Sequence, residues 1–120
     1  MTDKKKILIG EGVLSSRYFY EKDLSKDYDI EIVGSVDEVV ARIREVGKSL
    51  DLLIMDSGLN SSGTNSLSIA TQCRGAYPNL PIVLSTASQE RYGEMPKHNI
   101  VVFGKYPDQR LSDYIKRTLG

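Results

Sequence analysis

Five short apolar runs, each too short for a typical helix and each stopped by a turn signal or a polar residue, set the main constraint on the fold of this chain. They are Ile7-Leu8-Ile9, Ile30-Glu31-Ile32-Val33, Leu52-Leu53-Ile54-Met55, Ile82-Val83-Leu84 and Ile100-Val101-Val102-Phe103. Runs of this length read as strands, and those without alternation suit strands buried on both faces. Between them lie segments with helical spacing. Val13 to about Ser25 carries an apolar stripe of Val13, Leu14, Tyr18, Tyr20 and Leu24, with aromatic Phe19 beside it. Ser35 with Glu38 forms a capping box, and Val36, Val39, Val40, Ile43 and Val46 follow at helical intervals up to Gly47. A third helix is predicted from about Asn65 to Tyr77, with Ile69, Ala70, Cys73, Ala76 and Tyr77 on one face. Gly93 and Pro96 leave room for two helical turns at most in Ala87–His98. Pro107-Asp108 opens a last helix with Leu111, Tyr114, Ile115 and Leu119 on one side.

Strands alternating with helices predict a doubly wound α/β domain: a five-stranded parallel sheet with right-handed crossovers and helices on both faces. A length of 120 residues fits one such domain, spanning 1–120. Sixteen basic and sixteen acidic side chains cancel, so no global charge points to nucleic acid or an anionic membrane. The single cysteine, Cys73, excludes an internal disulfide and reads as a core residue, and a single histidine, His98, argues against an imidazole-based triad or metal cluster. No apolar run approaches membrane-spanning length and no secretory leader opens the sequence, which sets a cytoplasmic location as the expectation.

In such sheets ligands gather at the carboxyl ends of the strands. Reading off those ends gives Glu11 after the first strand, Asp56 after the third, Ser85-Thr86 after the fourth and Lys105 after the fifth. Taken singly, each has an ordinary alternative: Asp56 as an Asx turn or helix cap, Glu11 as a solvated acid, Ser85-Thr86 as a cap, Lys105 as a surface charge. Together, two acids favour a hard cation, Mg²⁺ above all. A hydroxyl and an ammonium added to them suit a phosphoryl group, with one carboxylate as nucleophile.

The segments KKILIGEG, DLLIMDSGLNSSG, PNLPIVLSTA and VVFGKYP resemble the receiver domain of two-component response regulators. The resemblance covers the whole chain. It implies a chemotaxis-regulator-like, flavodoxin-like fold of three α/β/α layers with strand order 2-1-3-4-5. It implies a signal receiver rather than an enzyme, with Asp56 as phospho-acceptor and Mg²⁺ held by Glu11, Asp56 and the Gly58 carbonyl. Thr86 matches the hydroxyl that moves toward the phosphoryl group, and Lys105 the lysine that pairs with it. The implied partner is a sensor histidine kinase or phosphotransfer protein, with no direct contact to nucleic acid or membrane, in a monomer or weak homodimer.

The departures are specific. Gly12 replaces the second of two tandem acids, which predicts weakened Mg²⁺ binding. Asn60 stands where a proline is usual, and Gly63 falls one residue early. Tyr106 separates Lys105 from Pro107, where lysine and proline are normally adjacent, often through a cis bond. Val102 stands three residues before the lysine, where an aromatic switch residue is expected, with Phe103 one place on. The short interval from Thr86 to Lys105 shrinks the fourth helix. These departures define an alternative: a degenerate receiver that binds a partner without phosphorylation. A third reading takes Gly10-Glu11-Gly12-Val13-Leu14-Ser15, with Glu31 some 20 residues on, as a nucleotide-binding fingerprint. A carboxylate inside that loop would face the pyrophosphate, and the chain has only half of a dinucleotide fold.

Overall fold

The computed structural model describes residues 4–59 and 66–120. Five parallel strands, β1 (Lys6–Gly10), β2 (Asp29–Val33), β3 (Leu52–Asp56), β4 (Ile82–Ser85) and β5 (Val101–Phe103), lie in the order β2-β1-β3-β4-β5. Among the described residues four α-helices connect them: α1 (Leu14–Leu24), α2 (Val36–Val46), α3 (Ser66–Ala76) and α4 (Gln109–Leu119). This is the doubly wound order expected from the sequence. The positions Asn60 and Gly63, and the predicted start of the third helix at Asn65, fall outside the described residues.

Strand periodicity divides the core into two layers. Leu8, Leu53, Met55, Ile82 and Leu84 pack against Val36, Val39 and Ile43 of α2 and Ile69, Ala70 and Cys73 of α3. Ile7, Ile9, Leu52, Ile54 and Val83 point the other way, toward Tyr20 and Leu24 of α1 and Leu111 and Ile115 of α4. β3 is buried along its whole length, and each of its four apolar side chains, Leu52, Leu53, Ile54 and Met55, contributes about 1.5–3 kcal/mol through burial. β2 and β5 are sheet edges and are only partly buried, unlike the uniformly buried strands expected.

The serine half of the capping box forms as the sequence predicts, and the glutamate reaches back to the serine hydroxyl. The Ser35 hydroxyl accepts from the Glu38 backbone N–H at 3.2 Å and meets the Glu38 carboxylate at 3.1 Å. Ser35→Ala should therefore lower stability by about 1 kcal/mol in urea unfolding, with the slope of the transition unchanged.

Two elements differ from the sequence reading. The apolar stripe assigned to the first helix faces solvent over its first turns: Val13, Leu14 and Tyr18 are exposed, Leu14 by 78%, and the buried face is Ser16, Tyr20 and Leu24. Periodicity failed there because the apolar residues ring the helix instead of lining one side. Between β4 and β5 there is no α-helix, only two 3-10 turns, Gln89–Tyr92 and Met95–His98. Pro96 lies in the first turn of the second, and Asn99 ends it in the left-handed conformation (φ 60°).

Candidate functional site at the carboxyl edge of the sheet

β1 and β3 are neighbours, so Glu11 and Asp56 emerge side by side at the same edge. The register pairs Asp56 with Ser85 and Ser85 with Phe103, which brings the ends of β4 and β5 alongside. Gly10 permits the close approach of the neighbouring layer: a Cβ there would lie 2.8 Å from Leu59 and 2.9 Å from Val39.

Both acids are buried, Glu11 with 1% and Asp56 with 6% of its surface exposed. Lys105 reaches across from the end of β5 to both. Its Nζ lies 3.1 and 3.2 Å from the two Glu11 carboxylate oxygens and 2.9 Å from Asp56 Oδ1. Burial pulls the Lys105 ammonium toward neutrality, but its hydrogen bonds to Asp56 and Glu11 and their negative charge outweigh this and hold it above the usual lysine range. Glu11 also accepts the Val13 backbone N–H through Oε2 at 3.2 Å, at the start of α1.

Thr86 is buried beside this cluster without joining it. Its Oγ1 accepts from the Ser57 hydroxyl at 2.8 Å and from the Ser88 backbone N–H at 3.1 Å. The Asp56 carbonyl accepts from Ser66 Oγ at 2.7 Å, which ties α3 to the end of β3. Gly58 is exposed, and a Cβ on it would lie 3.6 Å from Asp56 Oδ2, so its backbone borders the carboxylate. Gly12 is exposed at the rim near the Gly34 carbonyl and Leu59.

The sequence reading missed the groups beneath the rim. Tyr106 is buried, stacks on Tyr20 with 4.3 Å between ring centroids, and donates its hydroxyl to Asp23 Oδ2 at 2.7 Å. Burial raises the Tyr20 phenol well above its ordinary range, and the Glu11 carboxylate adds to the shift while the Ser85 hydroxyl opposes it. The signal available in sequence was the tyrosine placed between Lys105 and Pro107; the structure buries that residue, and the cis peptide bond lies at Tyr106–Pro107.

Among the described residues no group of three or more His, Cys, Asp or Glu side chains could hold a metal ion. The rim offers two carboxylates and a bordering backbone segment, all hard-oxygen donors, with one ammonium beside them and a summed charge of −1. That set fits Mg²⁺, which is commonly bound by one or two carboxylates and keeps several of its waters. No helix among the described residues is long and apolar enough to cross a membrane.

The five-stranded 2-1-3-4-5 parallel sheet is the fold of solved response regulator receiver domains. A response regulator receiver domain protein from Clostridium thermocellum superposes with a TM-score of 0.82 at 18% identity, over 96% of this chain and 94% of that one. The CheY-like receiver domain protein from Methanospirillum hungatei gives 0.77 at 20% identity, over 98% and 94%. TrrA from Thermotoga maritima, solved in complex with Mg²⁺ and beryllofluoride, gives 0.77 at 21% identity, over 96% and 99%. No protein-family model and no curated protein matches the sequence.

Proposed function

We propose that this chain is a phosphorylatable signal receiver and not an enzyme, with Asp56 as acceptor of a phosphoryl group from the phosphohistidine of a sensor kinase or phosphotransfer protein. The observation that carries this reading is the convergence of Glu11, Asp56 and Lys105 from three separate strand ends into one buried ion cluster. A buried ion pair adds little net stability, because desolvation offsets much of the attraction. A cluster of this kind is therefore better explained by the chemistry it performs.

In the transfer, an Asp56 carboxylate oxygen attacks phosphorus, the O–P bond forms and the N–P bond to imidazole breaks, and the imidazole leaves with a proton from solvent. Lys105, 2.9 Å from Asp56, is placed to neutralise a phosphoryl oxygen. Thr86 lies at the end of the neighbouring strand, and its hydroxyl would turn from Ser57 and Ser88 to donate to the same group. Glu11, Asp56 and the Gly58 carbonyl would hold Mg²⁺, which supplies charge neutralisation to the transferring phosphoryl group.

The test is an amide NMR titration with Mg²⁺ and then Mg²⁺ plus beryllofluoride, an acyl phosphate mimic, on the wild type and on Asp56→Asn. The expected result is shifts at Glu11, Asp56, Thr86 and Lys105 in the wild type only. No response in the wild type would reject phosphorylation and favour the second reading, a receiver fold that binds its partner constitutively. That reading is motivated by Gly12 and by the two 3-10 turns in place of a fourth helix.

A further inference from the structure

Lys105 sits in the five-residue connection 104–108 between β5 and α4, and nothing in a connection of that length by itself aims an ammonium inward. The aim comes from its neighbours. On one side Gly104 donates its N–H to Asp108 Oδ2 at 3.0 Å and accepts from the Ser85 hydroxyl at 3.0 Å. On the other side Tyr106, only 2% exposed, is inserted between α1 and α4 in the layer formed by Tyr20, Leu24, Leu111 and Ile115. Its ring lies nearly parallel to that of Tyr20, with an interplanar angle of 16°. Its hydroxyl bond to the exposed Asp23 carboxylate is charge-assisted and short, at 2.7 Å.

We propose that Tyr106 is the positioning residue for Lys105: its stack on Tyr20 and its hydrogen bond to Asp23 fix the backbone from which the ammonium reaches both Glu11 and Asp56. The tyrosine between lysine and proline is thus a structural anchor that ties the ion cluster to the last turn of α1. A phenylalanine would fill the same space, so what the hydroxyl adds is its polar contacts, the short bond to Asp23 and a side-chain hydrogen bond with Ser112 of α4. This deepens the receiver reading, on which its functional meaning rests, but its geometry belongs to the resting protein and is tested there.

The experiment follows the Lys105 side-chain ammonium by nitrogen-15 relaxation at one fixed pH, on the full chain. In Tyr106→Phe the order parameter of the ammonium should fall clearly below that of the wild type, as expected for a side chain whose backbone is no longer held. Asp23→Ala should produce the same fall, and combining the two should add nothing further. Asp23→Asn, whose amide oxygen still accepts the bond, should keep an order parameter close to the wild type. Asp23 is exposed, so its variants remain informative should Tyr106→Phe fail to fold. An unchanged Lys105 order parameter in folded Tyr106→Phe or Asp23→Ala would overturn the assignment. So would an equal fall in Asp23→Asn and Asp23→Ala, which would make the effect one of charge at residue 23. Failure of Asp56 to bind beryllofluoride would reject phosphorylation and leave this result standing.

Discussion

Lys105→Met is expected to lower the unfolding free energy by about 3 kcal/mol at neutral pH, near the lower end of the range for removing one partner of a buried ion pair. The loss arises because two buried carboxylates, Glu11 and Asp56, keep their desolvation cost while losing the ammonium within 3.2 Å of both. Lys105 itself is partly solvated, its side chain being 30% exposed, which keeps the effect from the upper end of the range. In a chain of this size the melting temperature should drop by about 10 °C. Adding Glu11→Gln to Lys105→Met removes one of the orphaned charges and should recover part of the loss. A double variant no more stable than the single would show that charge is not the cause. The pH dependence follows from the raised Lys105 pKa. A group whose folded pKa lies above its unfolded value stabilises fully below the unfolded value and loses that contribution as pH rises through the folded one. The gap between wild type and Lys105→Met should therefore hold steady through neutrality and narrow above about pH 10.4. Urea unfolding at pH 7 and pH 11 measures both.

The fold was legible because the strand runs are short, apolar and punctuated, and because helix α2 carries both its cap and its stripe. Ser35, Glu38, Val39 and Ile43 all do in the structure what local chemistry dictates. The strand-end residues were legible for a similar reason: a parallel sheet sends every carboxyl end to one edge, so Glu11, Asp56, Thr86 and Lys105 had to come near one another. What sequence could not supply was the pairing within that edge. Nothing in the spacing of Ser57 and Thr86 shows that one hydroxyl donates to the other at 2.8 Å. Nor does the spacing of Asp23 and Tyr106, which are 83 residues apart, show that they bond. The face of α1 was misread for a different reason. Its aromatics, Tyr18, Phe19 and Tyr20, are consecutive and so cannot share one side of a helix; Tyr20 is the buried one, on the face with Ser16 and Leu24 that packs on the sheet and on Tyr106.

Gly12→Asp is expected to tighten Mg²⁺ binding about tenfold, corresponding to roughly 1.4 kcal/mol. The rim at present carries a summed charge of −1, and an aspartate at residue 12 would make it −2. A unit negative charge 4 Å from a divalent cation at a surface-like dielectric is attracted by about 8 kcal/mol, and desolvation together with repulsion from Glu11 removes most of it. Space exists for the substitution: the position is exposed, and its Cβ would meet the Gly34 carbonyl at 3.4 Å and Leu59 at 4.0 Å. Gly12→Asn supplies an oxygen without charge and should gain much less, which separates electrostatics from an added ligand atom. Isothermal titration with Mg²⁺ on the three proteins decides between two views of the site. A gain confined to aspartate means that the native rim is short of one negative charge and that Gly12 tunes its affinity downward. Equal affinities in all three proteins would mean that residue 12 does not face the ion, so that Glu11 and Asp56 alone set the binding and Lys105 is the charge that limits it.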